Sequence, residues 1–401
     1  MMIKHRFSTK SETGGVSIFI VIFTALLMTI VTTSFIQIMV RNQQQATNSD
    51  LSQSAYDAAL AGVEDAKRLL LHLDACSRSG ASCNPNVAAI KTALSSDDCD
   101  TLEKGGLDVS FSTNNGEVPV GGPDDNQAYT CVTIKTNTPS VDDKLTPRDN
   151  SKTIPLRGVT PFDSIQLSWY TGKDVKDGNN STDGTATDPT VSWPSLPADP
   201  AWESNDGKNN TPPIMRAQLI QYKKGENIDL GTFSSKGTTN ARTAFLYPSF
   251  LAGDSTTVQP YFNQDSRLNV NGAGNVPRTA HCDNGMGDTY KCSVILALPD
   301  PVGGDEDSRT AYLQLGALYL NIPTSFEVKL FNGSTPVDFD NVQPIVDSTG
   351  RASDLFRRVR ANVSINSVPL PVPDAALNVN GDLCKNFVVT NKPEDYVPGC
   401  T

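Results

Sequence analysis

The sequence predicts an α+β protein, in which one long N-terminal helix, transmembrane and then amphipathic, precedes a mainly antiparallel β head with disulfides. Three observations support this class: an uncharged apolar run near the N-terminus, a helical apolar stripe directly after it, and short alternating segments among eight cysteines. Apolar spacings of three or four residues are typical of helices, whereas strict alternation is typical of half-buried strands. The length of 401 residues gives room for two or three domains.

A basic leader and an apolar run open the chain. Residues 1–15 carry three basic side chains and one acidic side chain, and residues 16–40 contain no charge, no Gly and no Pro. As a helix this run would measure roughly 37 Å, which exceeds the hydrocarbon core of about 30 Å. The basic leader predicts a cytoplasmic N-terminus and an exported C-terminal part. The sequence therefore predicts a single-pass membrane protein, although an uncleaved signal anchor would have the same hydropathy.

The helix is predicted to continue through residues 41–73, which contain no Pro and one Gly. Residues 41–54 are polar and have almost no apolar face, so we expect the rod to bend or melt there. From Leu51 onward, spacings of three and four residues predict one helix packing face. That face consists of Leu51, Ala55, Ala58, Gly62, Ala66, Leu69 and Leu73, and it is widened by Ala59, Val63 and Leu70.

Three stretches of this region resemble a known family. The leader end TGG at residues 13–15, the apolar run from Val16, and QSAYDAALAGVEDAKRLL at residues 53–70 resemble type IV prepilins, and among them the PilX-like minor pilins. The family's pattern of an aromatic residue, small-residue pairs, an acid and a further Ala is matched by Tyr56, Ala58, Ala59, Ala61, Gly62, Glu64 and Ala66. The resemblance implies cleavage by a prepilin peptidase after Gly14 or Gly15, and helix packing against other pilins in a bacterial surface filament.

Two departures from the family pattern indicate a minor subunit. Pilins usually carry Glu at the fifth mature position, but cleavage after Gly15 places Ile20 there and cleavage after Gly14 places Phe19 there. The second departure is Leu60, at a position where the PilX-like pattern commonly has Glu. Both differences favour a minor pilin or a pseudopilin over a major, self-stacking subunit.

All eight cysteines follow the apolar run, and an even number in an exported segment predicts disulfides. They are Cys76, Cys83, Cys99, Cys131, Cys282, Cys292, Cys384 and Cys400. Pairing of sequence neighbours would give Cys282–Cys292, Cys384–Cys400 and two bridges among the first four, but the spacing leaves the connectivity open. The loop that Cys384 and Cys400 would close also resembles the disulfide-bounded C-terminal loop of pilins.

Composition divides the exported chain into a Cys-rich loop and strand region at 74–160, a β-rich head at 161–366 and a disulfide-bounded tail at 367–401. A loop insertion at 171–213 contains two tryptophans, which form either an adhesive patch or anchors that hold the loop on the β core. Alternation predicts strands at 165–169, 326–330 and 359–365, and short apolar runs predict strands at 217–222 and 293–298. Further strands are expected at 107–112 and 129–135, a turn at 347–350, and either a strand or a helix at 312–320.

Chemical motifs are absent or faint. No motif of a hydrolase, nucleotide or classical zinc site is present, so we expect neither an enzyme nor a cofactor. The formal net charge of −11 argues against a nucleic-acid partner. Zinc would need the unusual set His281, Cys282, Asp283 and Cys292, for which a disulfide is favoured. Calcium is considered for the alternating Asp177, Asn179, Ser181 and Asp183, which lack the Gly and Glu of an EF-hand.

These observations lead to one functional hypothesis and three alternatives. The hypothesis is a non-catalytic minor type IV pilin-like subunit in the bacterial cell membrane, whose helix enters a surface filament and whose head is displayed for assembly or adhesion. Its partners would be the membrane, a prepilin peptidase and other pilins, while the surface ligand stays open. The alternatives are a pseudopilin of a secretion system, a membrane-anchored surface adhesin that never polymerises, and an exported hydrolase.

Overall fold

The computed structural model describes residues 15–79, 87–95, 98–99, 101–107, 117–121, 126–147, 151–174, 212–223, 241–249, 257–258, 278–283, 290–303, 309–318 and 322–364. Its class is α+β, with one long apolar N-terminal helix and a mainly antiparallel β region. The helices are α1 Gly15–Ser79, α2 Val87–Ser95 and α3 Thr101–Lys104.

Fifteen strands follow in the described residues. They are β1 Val118–Pro119, β2 Gln127–Thr138, β3 Val141–Leu145, β4 Lys152–Leu156, β5 Phe162–Thr171, β6 Ile214–Lys223, β7 Ala241–Ser249, β8 Thr257–Val258, β9 Arg278–Cys282, β10 Tyr290–Val302, β11 Arg309–Leu318, β12 Thr324–Asn332, β13 Thr335–Val337, β14 Phe339–Ala352 and β15 Leu355–Asn362. They form a four-stranded sheet in the order β1-β2-β14-β15 and an eleven-stranded sheet.

Helix α1 is unbroken over 65 residues, which corresponds to a length of about 98 Å. The prediction that the rod melts at residues 41–54 is wrong, because α1 continues through them. This linker contains neither Pro nor Gly, and Gln, Arg and Ala have good helix propensity even without an apolar face. Local side-chain bonds also support it, since Gln53 donates to Asp57 at 2.9 Å. The helix ends at Ser79, six residues beyond the predicted end at 73.

The chain divides into two compact units. The first contains residues up to Asp65 together with Asp108–Val132 and Asp347–Val359, and the second contains Ala66–Leu107, Thr133–Val346 and Arg360–Thr401. Most of α1 thus lies in the first unit, with segments of β2, β14 and β15. The second unit contains the eleven-stranded sheet, whose order is β13-β12-β5-β10-β9-β7-β6-β11-β4, with β3 paired to β12 and β8 to β10.

The core of the second unit forms around β5 and its neighbours β12 and β10. Ile165, Leu167 and Trp169 alternate along β5 and are all 0% exposed. The pairs of β5 with β10 and β12 are antiparallel, whereas β7–β9 and β8–β10 are parallel. The alternating apolar side chains of β5 therefore belong to the buried core of the second unit.

The predicted strands at 129–135, 165–169, 217–222, 293–298 and 326–330 lie within β2, β5, β6, β10 and β12. Residues 312–318 of the ambiguous segment are in strand β11. The predicted turn at 347–350 is wrong, because these residues belong to β14 and the chain turns at Ser353, which has a φ of 52°. Strand β15 starts and ends earlier than predicted, and most of 107–112 and of the insertion 171–213 lies outside the described residues.

Candidate assembly surface

The first half of α1 presents a continuous apolar surface. Every large apolar side chain from Ile18 to Val40 is between 47% and 75% exposed. Among the described residues this helix is long and apolar enough to cross a membrane, and its most apolar window has a mean hydropathy of 2.4. A helix that is apolar on all sides is stable in water only when other apolar groups cover it. The surface therefore needs lipid or other protein chains around it.

The threonine hydroxyls inside this apolar segment are bonded within the helix. The hydroxyl of Thr24 donates to the carbonyls of Ile20 and Val21, each at 2.9 Å. The hydroxyls of Thr29, Thr32 and Thr33 likewise donate to carbonyls three or four residues earlier. Such back-bonding removes hydroxyl donors that would otherwise be unpaired in an apolar medium. These threonines are compatible with a hydrocarbon environment.

The second half of α1 packs through the face that its periodicity predicts. Ala55, Ala58 and Gly62 are buried in the first unit, and Ala66, Leu69 and Leu73 are buried in the second. Leu51, the first residue of the predicted face, is only half-buried. The three residues expected to widen the face, Ala59, Val63 and Leu70, are buried too. The second half of α1 thus buries one apolar face, whereas the apolar side chains of the first half are exposed.

Two glycines allow close packing of α1 on the four-stranded sheet within the first unit. A Cβ atom added to Gly350 of β14 would overlap the carbonyl oxygen of Ala55 and the amide nitrogen of Ala59. One added to Gly62 would meet the Ser348 hydroxyl, and it would lie 3.0 Å from the Val132 side chain. The strand and helix backbones can touch only because both positions lack side chains.

Hydrogen bonds also join α1 to the strands of the first unit. The hydroxyl of Tyr129 on β2 donates to the Asp65 carboxylate at 2.8 Å, and Arg357 Nε of β15 donates to the Ser52 hydroxyl at 2.8 Å. They lie at opposite ends of the small-residue contact, so they fix the position of the helix along the strands.

Ion pairs join β14 to β15 and to the residue before β1. Arg358 Nε and Nη2 donate to the two Asp347 carboxylate oxygens at 2.6 and 2.7 Å. Arg351 Nε donates to Glu117 at 2.9 Å. Hydrogen bonding to these carboxylates raises the pKa of both guanidinium groups, which therefore stay charged.

The predicted processing site lies at the start of the described chain. Gly14 is outside the described residues, and Gly15 and Val16 open helix α1. In either cleavage register the fifth mature residue is apolar, and Phe19 and Ile20 are 75% and 59% exposed. No carboxylate is therefore present at the fifth position in either predicted register.

A buried carboxylate in the second unit was not anticipated from the sequence. The Asp174 side chain accepts hydrogen bonds from the amide and hydroxyl of Thr171, both at 2.9 Å, and from the amide and hydroxyl of Ser325, at 3.0 and 2.8 Å. Lys144 Nζ lies 3.3 Å from it. Burial, followed by the nearby Asp174 charge, raises the pKa of Tyr170. Only the fold brings Ser325 to Asp174, so no local signal could have revealed this cluster.

The Asp174 cluster fixes the point where the predicted insertion begins. Trp169 Nε1 donates to the carbonyl of Pro213 at 3.2 Å, so the last residue of the predicted insertion is bonded next to the insertion's start. Trp193 and Trp202, and the calcium pattern Asp177, Asn179, Ser181 and Asp183, lie outside the described residues. The two interpretations of these tryptophans therefore stay predictions.

The cysteines form disulfides wherever the structure describes them. Cys282 and Cys292 are bonded to each other and oppose one another directly on β9 and β10. This bridge is one of the two pairs of sequence neighbours expected above, and it leaves neither sulfur available as a thiolate for zinc. Cys76, Cys99 and Cys131 are also disulfide-bonded, and Cys83, Cys384 and Cys400 lie outside the described residues.

The surface of α1 can therefore serve three purposes: insertion into lipid, lateral contact with other apolar helices, and attachment to its own sheet. Similarity to known proteins does not decide among them. No protein-family model matches the chain, and no curated protein or solved structure matches it either.

Proposed function

We propose that this chain is a minor type IV pilin-like subunit, which enters a surface filament through its N-terminal helix and displays its β region without catalysis. One observation supports this proposal above all: an exposed, uncharged apolar helix continues without a break into a segment that is docked on the chain's own strands. The first half of α1 has no covering partner among the described residues, while the second half has one.

A membrane-bound state precedes assembly in this proposal. The apolar segment would reside in the cell membrane with the basic leader on the cytoplasmic side, as the positive-inside bias predicts. A prepilin peptidase would then remove the leader at Gly14 or Gly15. The resemblance of residues 13–16 and 53–70 to prepilins supports this step, and the in-helix bonding of the threonine hydroxyls is compatible with lipid.

The continuous helix favours an assembly subunit over a simple anchor. A flexible tether would be sufficient to hold a β domain at a membrane, but residues 41–50 remain helical without any apolar face to bury. A continuous rod transmits the position of its membrane segment to its β strands. Filament packing needs such a fixed relation, and a non-polymerising adhesin does not.

The chemistry at Phe19 and Ile20 favours a minor subunit. Without a carboxylate at the fifth position, a neighbour's terminal ammonium would be buried unpaired, which costs several kcal/mol. A homopolymer would repeat this cost at every subunit contact. A few copies placed beside subunits that carry the acid would add this free-energy cost only a few times.

Quantitative mass spectrometry of purified filaments tests the proposal. We expect this chain in the filaments at far below the amount of another pilin, and we expect it to depend on that pilin for incorporation. Finding it as the dominant subunit would refute the minor role. Its absence from filaments, with normal amounts in the cell membrane, would favour the non-polymerising adhesin, and association with a secretion system would favour a pseudopilin.

A further inference from the structure

The contact between α1 and the strands of the first unit buries only small side chains from the helix side at its centre. Ala55, Ala58, Ala59 and Gly62 are buried there, and Val63 is the largest apolar residue that α1 adds. The later part of α1 instead buries leucines in the second unit. Hydrophobic stabilisation scales with the apolar area removed from water, so each helical turn of the first contact contributes less.

A buried hydroxyl weakens the same contact. Ser348 of β14 is 0% exposed, and its Oγ has no hydrogen-bond partner among the residues that the structure describes. It lies directly against Gly62, which has no side chain to offer a partner. A buried hydroxyl without a partner is destabilising relative to its hydrated state. Separation of α1 from β14 would hydrate this hydroxyl and recover that free energy.

The strands also have contacts with one another that do not involve the helix. Strand β14 lies between β2 and β15 in its sheet, so its backbone groups have neighbours on both sides. The Arg358–Asp347 pair connects β15 with β14, and the Arg351–Glu117 pair connects β14 with the residue before β1. The bonds of Asp65 and Ser52 to the strands would be exchanged for water if the helix left.

From these contacts we infer that residues 55–65 of α1 form a dock on β2 and β14 that opens reversibly while the strands and the second unit remain folded. Opening exposes the helix face that carries Ala58 and Gly62, which the strands cover in the closed state. The inference does not depend on the filament proposal, because it concerns the isolated chain.

A single cysteine at the dock measures its opening. In the full-length protein in detergent micelles, Ser348→Cys places a thiol at a buried position of nearly unchanged size. The described native cysteines are in disulfides, and the wild-type chain serves as the blank for any other thiol. Val328→Cys, also at a 0% exposed position but in the core of the second unit, is the matched control. Leu60→Cys, on the exposed side of α1, gives the labelling rate of an open site.

We expect the thiol at position 348 to be labelled about 100-fold faster than that at 328, with little dependence on low urea concentrations, as is typical of local opening. Adding Gly350→Ala should raise labelling at 348 by about tenfold or more, because the added methyl group cannot fit against the helix, and should leave labelling at 328 unchanged. Equal rates at 348 and 328 with the same urea dependence would overturn the inference. An equal rise at both sites on adding Gly350→Ala would overturn it as well.

Discussion

The two halves of α1 use their apolar side chains in opposite ways. Residues 18–40 leave all their large apolar side chains exposed, whereas residues 55–73 bury the apolar side chains of one face. The amount of apolar surface alone does not explain why one half is exposed and the other is buried, because the more apolar half is the exposed one. The difference follows from the pattern: the first half is apolar on all sides, and the second half is apolar on one face.

This comparison separates the residues that stabilise the fold from those that we propose insert into a membrane. Substitutions on the buried face should change stability and leave membrane insertion intact. Substitutions in the exposed half should change insertion and assembly and leave the β region folded. Each of the following experiments asks whether the two halves can be separated in this way.

The largest effect is expected from charges in the exposed half. The double substitution Leu27→Arg/Ile30→Arg adds two charges on one side of the membrane segment, at about 2.5–3.5 kcal/mol each near the centre of a bilayer. We expect most of the protein to move from the membrane fraction to the soluble or degraded fraction in carbonate extraction. The control Asn42→Arg/Asn48→Arg, in the exposed polar linker, should stay in the membrane. Full retention of the first variant would show that lipid does not cover this segment.

A smaller effect is expected from truncation on the buried face. Leu69 is 0% exposed and lies against Gly105, so Leu69→Ala should lower the free energy of unfolding by about 2–5 kcal/mol. Leu71→Ala, two residues away but 44% exposed, should change it by less than about 0.5 kcal/mol. Thermal unfolding of the detergent-solubilised protein, followed by circular dichroism, measures both. Equal shifts in the two variants would contradict the assignment of the packing face.

The sequence predicted those features that depend on local periodicity. The buried face of α1 follows from spacings of three and four residues, and strands β5 and β12 follow from alternation. Gly350 shows where this approach fails. In the sequence DSTG it indicates a turn, but the close approach of α1 requires a residue without a side chain inside β14. A glycine has both uses, and only the tertiary contact decides between them.

The sequence also did not predict the polar contacts between residues that are far apart along the chain. Asp174 and Ser325 are 151 positions apart, and their hydrogen bonds exist only because β5 and β12 are neighbours in the sheet. The partners of Asp65 and Ser52 on the strands depend in the same way on the fold. Periodicity indicates which face of an element is buried, but it does not indicate which side chains will meet there.

The most direct test of the central claim is the N-terminal sequence of the protein extracted from its native membrane. If α1 is a prepilin-type helix, the mature chain begins at Val16, or at Gly15 if cleavage follows Gly14, and the leader is retained in cells that lack the prepilin peptidase. A chain that still begins at Met1 or Met2 in normal cells, or one that begins near Arg41 after removal of the whole apolar segment, would contradict the pilin-like assignment.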